Sequence, residues 1–290
     1  MFQGTLVALV TPLADGKVDY AAIERLVDWH VEQGTDGLVP VGTTGESPTV
    51  DVDEHKKIVK TIVKRADGRV PVIAGTGGNA TAEAIDLTRF ARDAGADASL
   101  QVCPYYNKPT QDGLRAHFAA IAEACDLPMV LYNIPGRTSV SMTPETVARL
   151  AELEQVVAIK EATGSMDQTS EILARCDLTV LSGDDSLTLP LMAIGARGVV
   201  SVVANLVPKD MKRLTDAMLA GDAETARQAH RRLFPLCRAM FVETNPIPIK
   251  TAMMWAGLLA SDERRLPLTD LAPASADALR QVMSDYGLLA

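Results

Sequence analysis

The chain has 290 residues, of which 47% are hydrophobic, enough for one large domain or a domain with an appendage. Its formal net charge of -9 argues against nucleic acid or an anionic membrane as a partner. The first residues include no basic n-region and no apolar stretch long enough for a signal peptide or a membrane span. Together with the scattered cysteines, this predicts a cytoplasmic protein with reduced thiols.

In chain order, short apolar runs alternate with stretches of helical periodicity. The first amphipathic stretch carries apolar residues at 23, 26, 27 and 31 and ends at Gly34, and further helices are predicted near 53–65 and 81–94. The predicted strands are residues 5–10, 37–41, 70–74, 98–102, 128–132, 156–160, 179–181 and 198–202.

Eight strand–helix units of this size predict an α/β fold, a closed (β/α)8 TIM barrel spanning residues 1–223. A doubly wound open sheet is the alternative, and the absence of a G-x-G-x-x-G segment after the first strand counts against it. Beyond the barrel only helical patterns remain, near 224–240, 249–259 and 274–286. Residues 224–290 are therefore predicted to form a small C-terminal helical domain packed on the barrel.

Chemistry in such a barrel sits at the C-terminal ends of the strands. The second strand is followed by GTTGES at 42–47, where glycines flank two hydroxyls and leave backbone N–H groups open to a carboxylate or phosphate. A simple turn followed by a helix cap is the alternative interpretation. The segment lacks the lysine and the spacing of a P-loop.

Aromatic and basic residues follow the fourth and fifth strands. Tyr105 and Tyr106 come after the fourth strand, and Tyr132 ends the fifth, with Arg137 on the next loop. A phenol at a strand end can relay a proton, and a guanidinium can hold a carboxylate by two parallel hydrogen bonds. Interface tyrosines and a solvated arginine are the alternative for each residue taken alone.

Lys160 ends the sixth apolar run, VVAIK at 156–160. A buried lysine is rare unless it is paired or used, and burial favours the free amine, which can attack a carbonyl. The alternative is a strand-end lysine whose ammonium reaches water. Glu161 alternates to the opposite face and is interpreted as structural.

The remaining polar clusters predict no metal site. Asp184 and Asp185 follow the seventh strand as a possible metal pair, but no third carboxylate or histidine stands at a ligand spacing. His30 lies on an apolar helix face and is interpreted as a core or rim residue. Cys103 lies near the predicted barrel mouth without an identifiable histidine partner for nucleophilic chemistry.

Taken together, these segments resemble one family. The segments GTTGES (42–47), PYYN (104–107), YNIPGRT (132–138) and IKEATG (159–164) resemble the signatures of the dihydrodipicolinate synthases. This family belongs to the pyruvate-dependent class I aldolase, or N-acetylneuraminate lyase, superfamily. The resemblance extends from residues 4–12 to the segment NPIPIK at 245–250, and so covers nearly the whole chain.

The resemblance implies a lyase that condenses pyruvate, as a Schiff base on Lys160, with L-aspartate 4-semialdehyde in diaminopimelate and lysine biosynthesis. It implies a proton relay of Thr43, Tyr132 and Tyr106, with Tyr106 reaching in from a neighbouring subunit. No metal or organic cofactor is implied. The substrate-binding residues it implies are Thr43, Thr44, Arg137 and Val200.

The resemblance also implies a homotetramer built as a dimer of dimers, with L-lysine as an allosteric inhibitor at a subunit interface. Pro48 and Val52 depart from the lysine-inhibited pattern, so we expect inhibition that is weaker than in the strongest members. The residues that match the inhibitor site are Ser47, His55, Asn79, Glu83 and Tyr105.

Two alternatives remain at this point. An N-acetylneuraminate lyase would keep the lysine and the Tyr-Asn-x-Pro strand, but usually lacks an arginine at the position of Arg137 and the tandem Tyr105 and Tyr106. A non-catalytic barrel that binds or senses sugar acids is the second, and the intact set of Thr43, Tyr132, Arg137 and Lys160 argues against it.

Overall fold

The computed structural model describes residues 2–289, in which eight parallel strands form one sheet. When these strands are numbered along the chain, their order across the sheet is 2-1-8-7-6-5-4-3. A parallel bridge between Leu38 and Val72 joins the second and third strands at the two edges. The sheet therefore closes into the predicted barrel. Its strands are Gly4–Ala8, Gly37–Val39, Ile73–Gly75, Ala98–Val102, Met129–Asn133, Val156–Glu161, Thr179–Ser182 and Gly198–Ser201.

The predicted strand positions agree with the structure to within two residues at each end, except at the third strand. This strand was expected at 70–74 and begins at Ile73 instead. The reason is Pro71, which has no amide hydrogen to give to the ladder and contributes only its carbonyl, which accepts from the Leu38 N–H at 2.9 Å. Ladder pairing therefore starts beyond it.

Helices follow the strands around the barrel. The helix Val52–Ala66 shows why these segments fold as they do: Asp51 and Glu54 form a capping box at its start, and Ile58, Val59 and Ile62 face the core. The helices are Tyr20–Glu32, Val52–Ala66, Thr81–Ala94, Gln111–Ala124, Pro135–Thr138, Pro144–Leu150, Met166–Arg175, Thr188–Ala193, Pro208–Leu219, Ala223–Ala239, Ile247–Trp255 and Pro273–Tyr286.

Successive side chains of each strand point to opposite faces of the sheet, so the buried side chains form two sets. One set fills the barrel and includes Leu6, Leu100, Tyr132 and Val200. The other packs between the strands and the helices, with Phe118 among its largest members. Within the described residues, no helix is long and apolar enough to cross a bilayer.

The last three helices, beginning at Ala223, pack against the barrel. Ile247–Trp255 is buried over its first seven residues, including Lys250, and its N-terminal approach passes the mouth of the barrel through Asn245. The division into domains at residue 223 remains a prediction.

Candidate active site

Lys160 lies inside the barrel beside Tyr132. The two residues are register partners on the fifth and sixth strands, so their side chains point to the same face of the sheet. Lys160 is only 5% exposed, and its Nζ lies 4.1 Å from the centroid of the Tyr132 ring. The amine is thus held against an aromatic face, and the alternative of a lysine that extends to water is wrong.

Glycine at position 183 makes room for this lysine. A Cβ built there would lie 3.2 Å from the Lys160 Cε and 2.6 Å from the Ala162 Cβ. The next residue, Asp184, faces the same region: burial raises the pKa of its carboxyl, and the Lys160 charge opposes that shift. Both residues belong to the segment SGDD at 182–185, for which the sequence alone suggests only a possible metal pair.

The turn at residues 42–47 has the form of an anion-binding loop. Its backbone is left-handed on either side, at Val41 (φ 50°) and Glu46 (φ 58°). Within residues 2–289, the N–H groups of Thr43 and Thr44 donate to no protein acceptor. Two successive free N–H groups in such a turn suit a carboxylate.

Gly45 allows this turn to pack tightly. A Cβ at position 45 would lie 2.9 Å from the Val41 nitrogen and 3.2 Å from the Leu9 carbonyl oxygen, so no larger residue fits. The Gly45 carbonyl accepts a hydrogen bond from the Thr11 hydroxyl at 2.8 Å. Position 45 is therefore fixed by sterics and by this bond to the loop after the first strand.

A cavity at the barrel mouth brings Thr43 and Tyr132 together. Tyr132 is shared, since its ring also contacts Lys160. Thr43 and Tyr132 both line this cavity, and within the described chain their hydroxyls make no direct hydrogen bond to each other. Val200 is 1% exposed and belongs, with the Tyr132 ring, to the apolar side chains that fill the barrel.

Arg137 is connected to the anion-binding turn through Asn245. The Arg137 Nη2 donates to the Asn245 carbonyl at 3.3 Å, and the Asn245 Nδ2 donates to the Thr44 hydroxyl at 3.0 Å. Arg137 is itself exposed at the mouth and can reach a solute. Asn245 was not predicted as a site residue. The segment NPIPIK at 245–250 is part of the family resemblance, but the resemblance assigns no role to its asparagine.

Tyr106 stands apart from these groups in the single chain. It is 92% exposed and has a left-handed backbone (φ 64°), which is uncommon for a residue with a side chain. Its neighbour Tyr105 is tied down, because the Tyr105 N–H donates to the Asn79 Oδ1 at 2.9 Å. The structure therefore does not bring Tyr106 to Lys160 within one chain.

A second cavity, of about 120 Å³, lies beside the active-site mouth. His55 lines this second cavity, and its Nε2 lies 2.7 Å from the carbonyl oxygen of Gly75, which lines the first cavity. Burial lowers the pKa of His55 to about 4, so its ring is neutral. The lining of the second cavity includes all five residues predicted for the inhibitor site, namely Ser47, His55, Asn79, Glu83 and Tyr105.

Two further polar residues, Glu161 and Asp185, are held by hydrogen bonds within the fold. Glu161 points away from Lys160 and accepts from the Thr163 N–H and the Asn133 amide. Asp185 is buried and its Oδ2 accepts from the N–H groups of Val202 and Val203. Among the residues described, no three His, Cys, Asp or Glu side chains are grouped so as to hold a metal ion.

Cys103 does not have the properties of a nucleophile. It is fully buried, and burial raises the pKa of its thiol to about 12. The reactive form of cysteine is the thiolate, which is therefore scarce at neutral pH. His30 is likewise fully buried, as expected of a core residue, and burial lowers its pKa to about 3.

Comparison with known proteins gives a consistent result over the whole chain. The sequence model of the dihydrodipicolinate synthetase family matches residues 1–286. A curated relative, the 4-hydroxy-tetrahydrodipicolinate synthase of Pelobacter propionicus, is 55% identical, and the alignment covers 100% of both chains.

Two similar solved structures contain bound ligands. The dihydrodipicolinate synthase of Acinetobacter baumannii, complexed with pyruvate, superposes with a TM-score of 0.97 at 46% identity and covers 100% of both chains. The enzyme of Cyanidioschyzon merolae with lysine bound has a TM-score of 0.96 at 43% identity over 99% of each chain.

Proposed function

Since the chain belongs to the dihydrodipicolinate synthetase family, and is thus a lyase that condenses pyruvate with L-aspartate 4-semialdehyde, we propose that Lys160 is its Schiff-base nucleophile. The product is 4-hydroxy-tetrahydrodipicolinate, and the reaction is the first committed step of diaminopimelate and lysine biosynthesis. The observation that carries the proposal is the buried Lys160 amine against the Tyr132 ring at the base of the mouth.

In the first half-reaction the Lys160 amine attacks the pyruvate ketone, and loss of water gives an iminium. The iminium withdraws electrons from the methyl group, which loses a proton and becomes an enamine carbon. The protein thereby supplies its own electron sink and needs no metal or organic cofactor. The free N–H groups of Thr43 and Thr44 support a binding mode in which they receive the pyruvate carboxylate.

In the second half-reaction the enamine carbon attacks the aldehyde of the semialdehyde. The substrate amine then replaces Lys160 at the imine carbon, which closes the ring and frees the lysine. Arg137 receives the semialdehyde carboxylate through charge-assisted hydrogen bonds. Its position at the mouth, and its connection to Thr44 through Asn245, support this role.

Proton transfers pass through Tyr132, with Thr43 and the Tyr106 of a neighbouring subunit completing the relay. Positioned acid–base groups of this kind contribute about 10²–10⁴-fold to a rate. The 92% exposure of Tyr106 supports an assignment to an interface, because a large aromatic side chain is expected to be covered in the working assembly. That assembly is a homotetramer made of two such dimers, acting in the cytoplasm.

L-lysine inhibits the enzyme from the second cavity. The carboxylate of Glu83 supplies a partner for an ammonium group, and the neutral ring of His55 supplies a hydrogen-bonding nitrogen. His55 also bonds to Gly75 at the active-site mouth, which offers a direct route from inhibitor to active site. Val52, which lines this cavity, and Pro48, which follows Ser47 in the chain, make inhibition weaker than in the strongest members of the family.

The test is a coupled assay with pyruvate and L-aspartate 4-semialdehyde, run beside an assay with N-acetylneuraminate. We expect turnover of the first pair only, and no turnover by Lys160→Ala. A folded Lys160→Ala enzyme with wild-type activity would contradict the assignment. Cleavage of N-acetylneuraminate at a comparable kcat/KM would place the chain with the lyases of the superfamily instead.

A further inference from the structure

Lys250 is a fully buried lysine that none of the proposed chemical steps uses. It lies in the helix Ile247–Trp255, and its side chain is 0% exposed. Its Nζ donates to the Glu46 Oε1 at 2.6 Å and to the Thr11 carbonyl oxygen at 2.9 Å. Glu46 is buried as well, so the two charges form an ion pair inside the protein.

Glu46 is the residue that closes the anion-binding turn. It has a left-handed backbone (φ 58°), and its N–H donates to the Thr43 carbonyl at 3.1 Å. Its second carboxylate oxygen accepts from the Arg265 N–H at 3.1 Å. Both oxygens are therefore held by segments more than 200 residues further along the chain, and the unusual backbone is fixed from the side-chain end.

A buried ion pair is a weak source of stability, because desolvation of the two charges offsets their attraction. It does impose geometry, since a charge left without its partner in the interior is strongly unfavourable. Here the geometry imposed is that of the turn with the free N–H groups of Thr43 and Thr44. The Thr11 carbonyl ties the same ammonium to the loop whose hydroxyl holds Gly45.

We propose that Lys250, through its ion pair with Glu46, is a positioning residue for the pyruvate-binding turn: it holds residues 42–47 in the conformation that presents two N–H groups to the carboxylate. This inference rests on the proposed function, in which that turn binds pyruvate. Lys250 touches no substrate, and its effect reaches pyruvate only through the backbone of the turn.

The experiment compares two double variants with the wild type. Glu46→Gln with Lys250→Met removes both charges together and keeps similar side-chain volumes, so that no unpaired charge is buried. The matched control is Asp36→Asn with Lys212→Met, which removes a lysine–carboxylate pair of 2.7 Å where the second strand begins, at the opposite end of the barrel. Thermal unfolding and steady-state kinetics with each substrate varied are measured for all three proteins.

For the Glu46 and Lys250 double variant we expect the pyruvate KM to rise about tenfold or more, with the semialdehyde KM within about twofold, because only pyruvate loses preorganised donors. The control should leave both KM values within about twofold. A folded double variant with an unchanged pyruvate KM overturns the inference, and so do equal rises in both KM values. If the double variant does not fold, Lys250→Arg is tested by the same criteria, because it keeps the charge while its larger guanidinium cannot take the same position between Glu46 and the Thr11 carbonyl.

Reduction with borohydride in the presence of pyruvate separates this inference from the proposed function. If the wild type is labelled at Lys160 and the folded double variant keeps an unchanged pyruvate KM, only the positioning role is refuted. Wild type that is not labelled refutes the Schiff-base function on which the inference rests.

Discussion

Tyr132 and Lys160 face each other across the pair formed by the fifth and sixth strands, with the Lys160 Nζ 4.1 Å from the centre of the Tyr132 ring. Adjacent positions in a parallel ladder point to the same side, so the strand register alone brings amine and phenol together. The arrangement needs no loop and is therefore among the most rigid parts of the site. It places the Tyr132 ring beside the nitrogen at which we propose that the Schiff base forms.

Arg137→Ala is predicted to affect the two substrates unequally. Loss of charge-assisted hydrogen bonds worth about 1.5–3 kcal/mol should raise the semialdehyde KM by about 10–100-fold. The pyruvate KM should change little, because the anion-binding turn is intact. The control is Arg149→Ala, an exposed arginine paired with Glu145 on an outer helix. Equal rises for both substrates would show that Arg137 has a structural role.

Glu83→Ala is predicted to relieve inhibition by L-lysine. The cavity beside the active site would lose its partner for an ammonium group, and the inhibitory concentration should rise about tenfold or more while uninhibited turnover is nearly unchanged. Asp86→Ala is the matched control, since Asp86 lies on the same helix but pairs with Lys56 outside the cavity. A wild-type rate unchanged at millimolar lysine would mean that Pro48 and Val52 have abolished the site.

Mixed dimers test whether Tyr106 acts in the partner's site. Lys160→Ala and Tyr106→Phe chains should each be poorly active as pure oligomers. Co-expressed and purified as a mixed dimer, they contain one site with its own Lys160 and the partner's intact Tyr106, and this site should work. Activity well above the mean of the parents is expected. Activity no higher than that mean would place Tyr106 in its own chain's site, or outside the chemistry.

Acid is predicted to destabilise the fold through buried histidines. Burial lowers the pKa of His30 to about 3 and those of His55 and His117 to about 4, so all three are neutral in the folded chain. The unfolded chain binds a proton at each below about pH 6.5. Stability present above that pH is therefore lost as pH falls, by at most about 1.4 kcal/mol per pH unit for each histidine.

Asp185 opposes this trend over a narrower range. Burial raises the pKa of the Asp185 carboxyl from its ordinary value of 3.8 to about 6. This carboxyl therefore destabilises the fold progressively as the pH rises between those two values. Burial also raises the pKa of Asp184 and of Glu161, which act in the same direction as Asp185. Only the histidines titrate between pH 7 and pH 5 in the unfolded chain, so a net loss of stability over this range should be visible in urea unfolding. His30→Leu should reduce that loss. A loss equal to that of the wild type would contradict the assignment of His30 as a proton acceptor on unfolding.

The local parts of the site could be predicted from the sequence because they depend on neighbours in the chain. Lys160 ends an apolar run, and GTTGES signals a turn, so the ends of these two strands are predicted to within two residues. Asn245 and Lys250 could not be found in this way. Their partners Thr44 and Glu46 lie about 200 residues away, and only the folded chain brings the C-terminal helices over the second strand's turn.

The most direct test of the account is reduction of the wild-type enzyme with borohydride in the presence of pyruvate, followed by mass spectrometry of its peptides. We expect one pyruvate-derived addition, on the peptide that contains Lys160, and none without pyruvate. Lys250 is the internal control, since it is even more buried but lies in an ion pair away from the chemistry. An addition on Lys250 or any other lysine, or no addition at all, would contradict the mechanism.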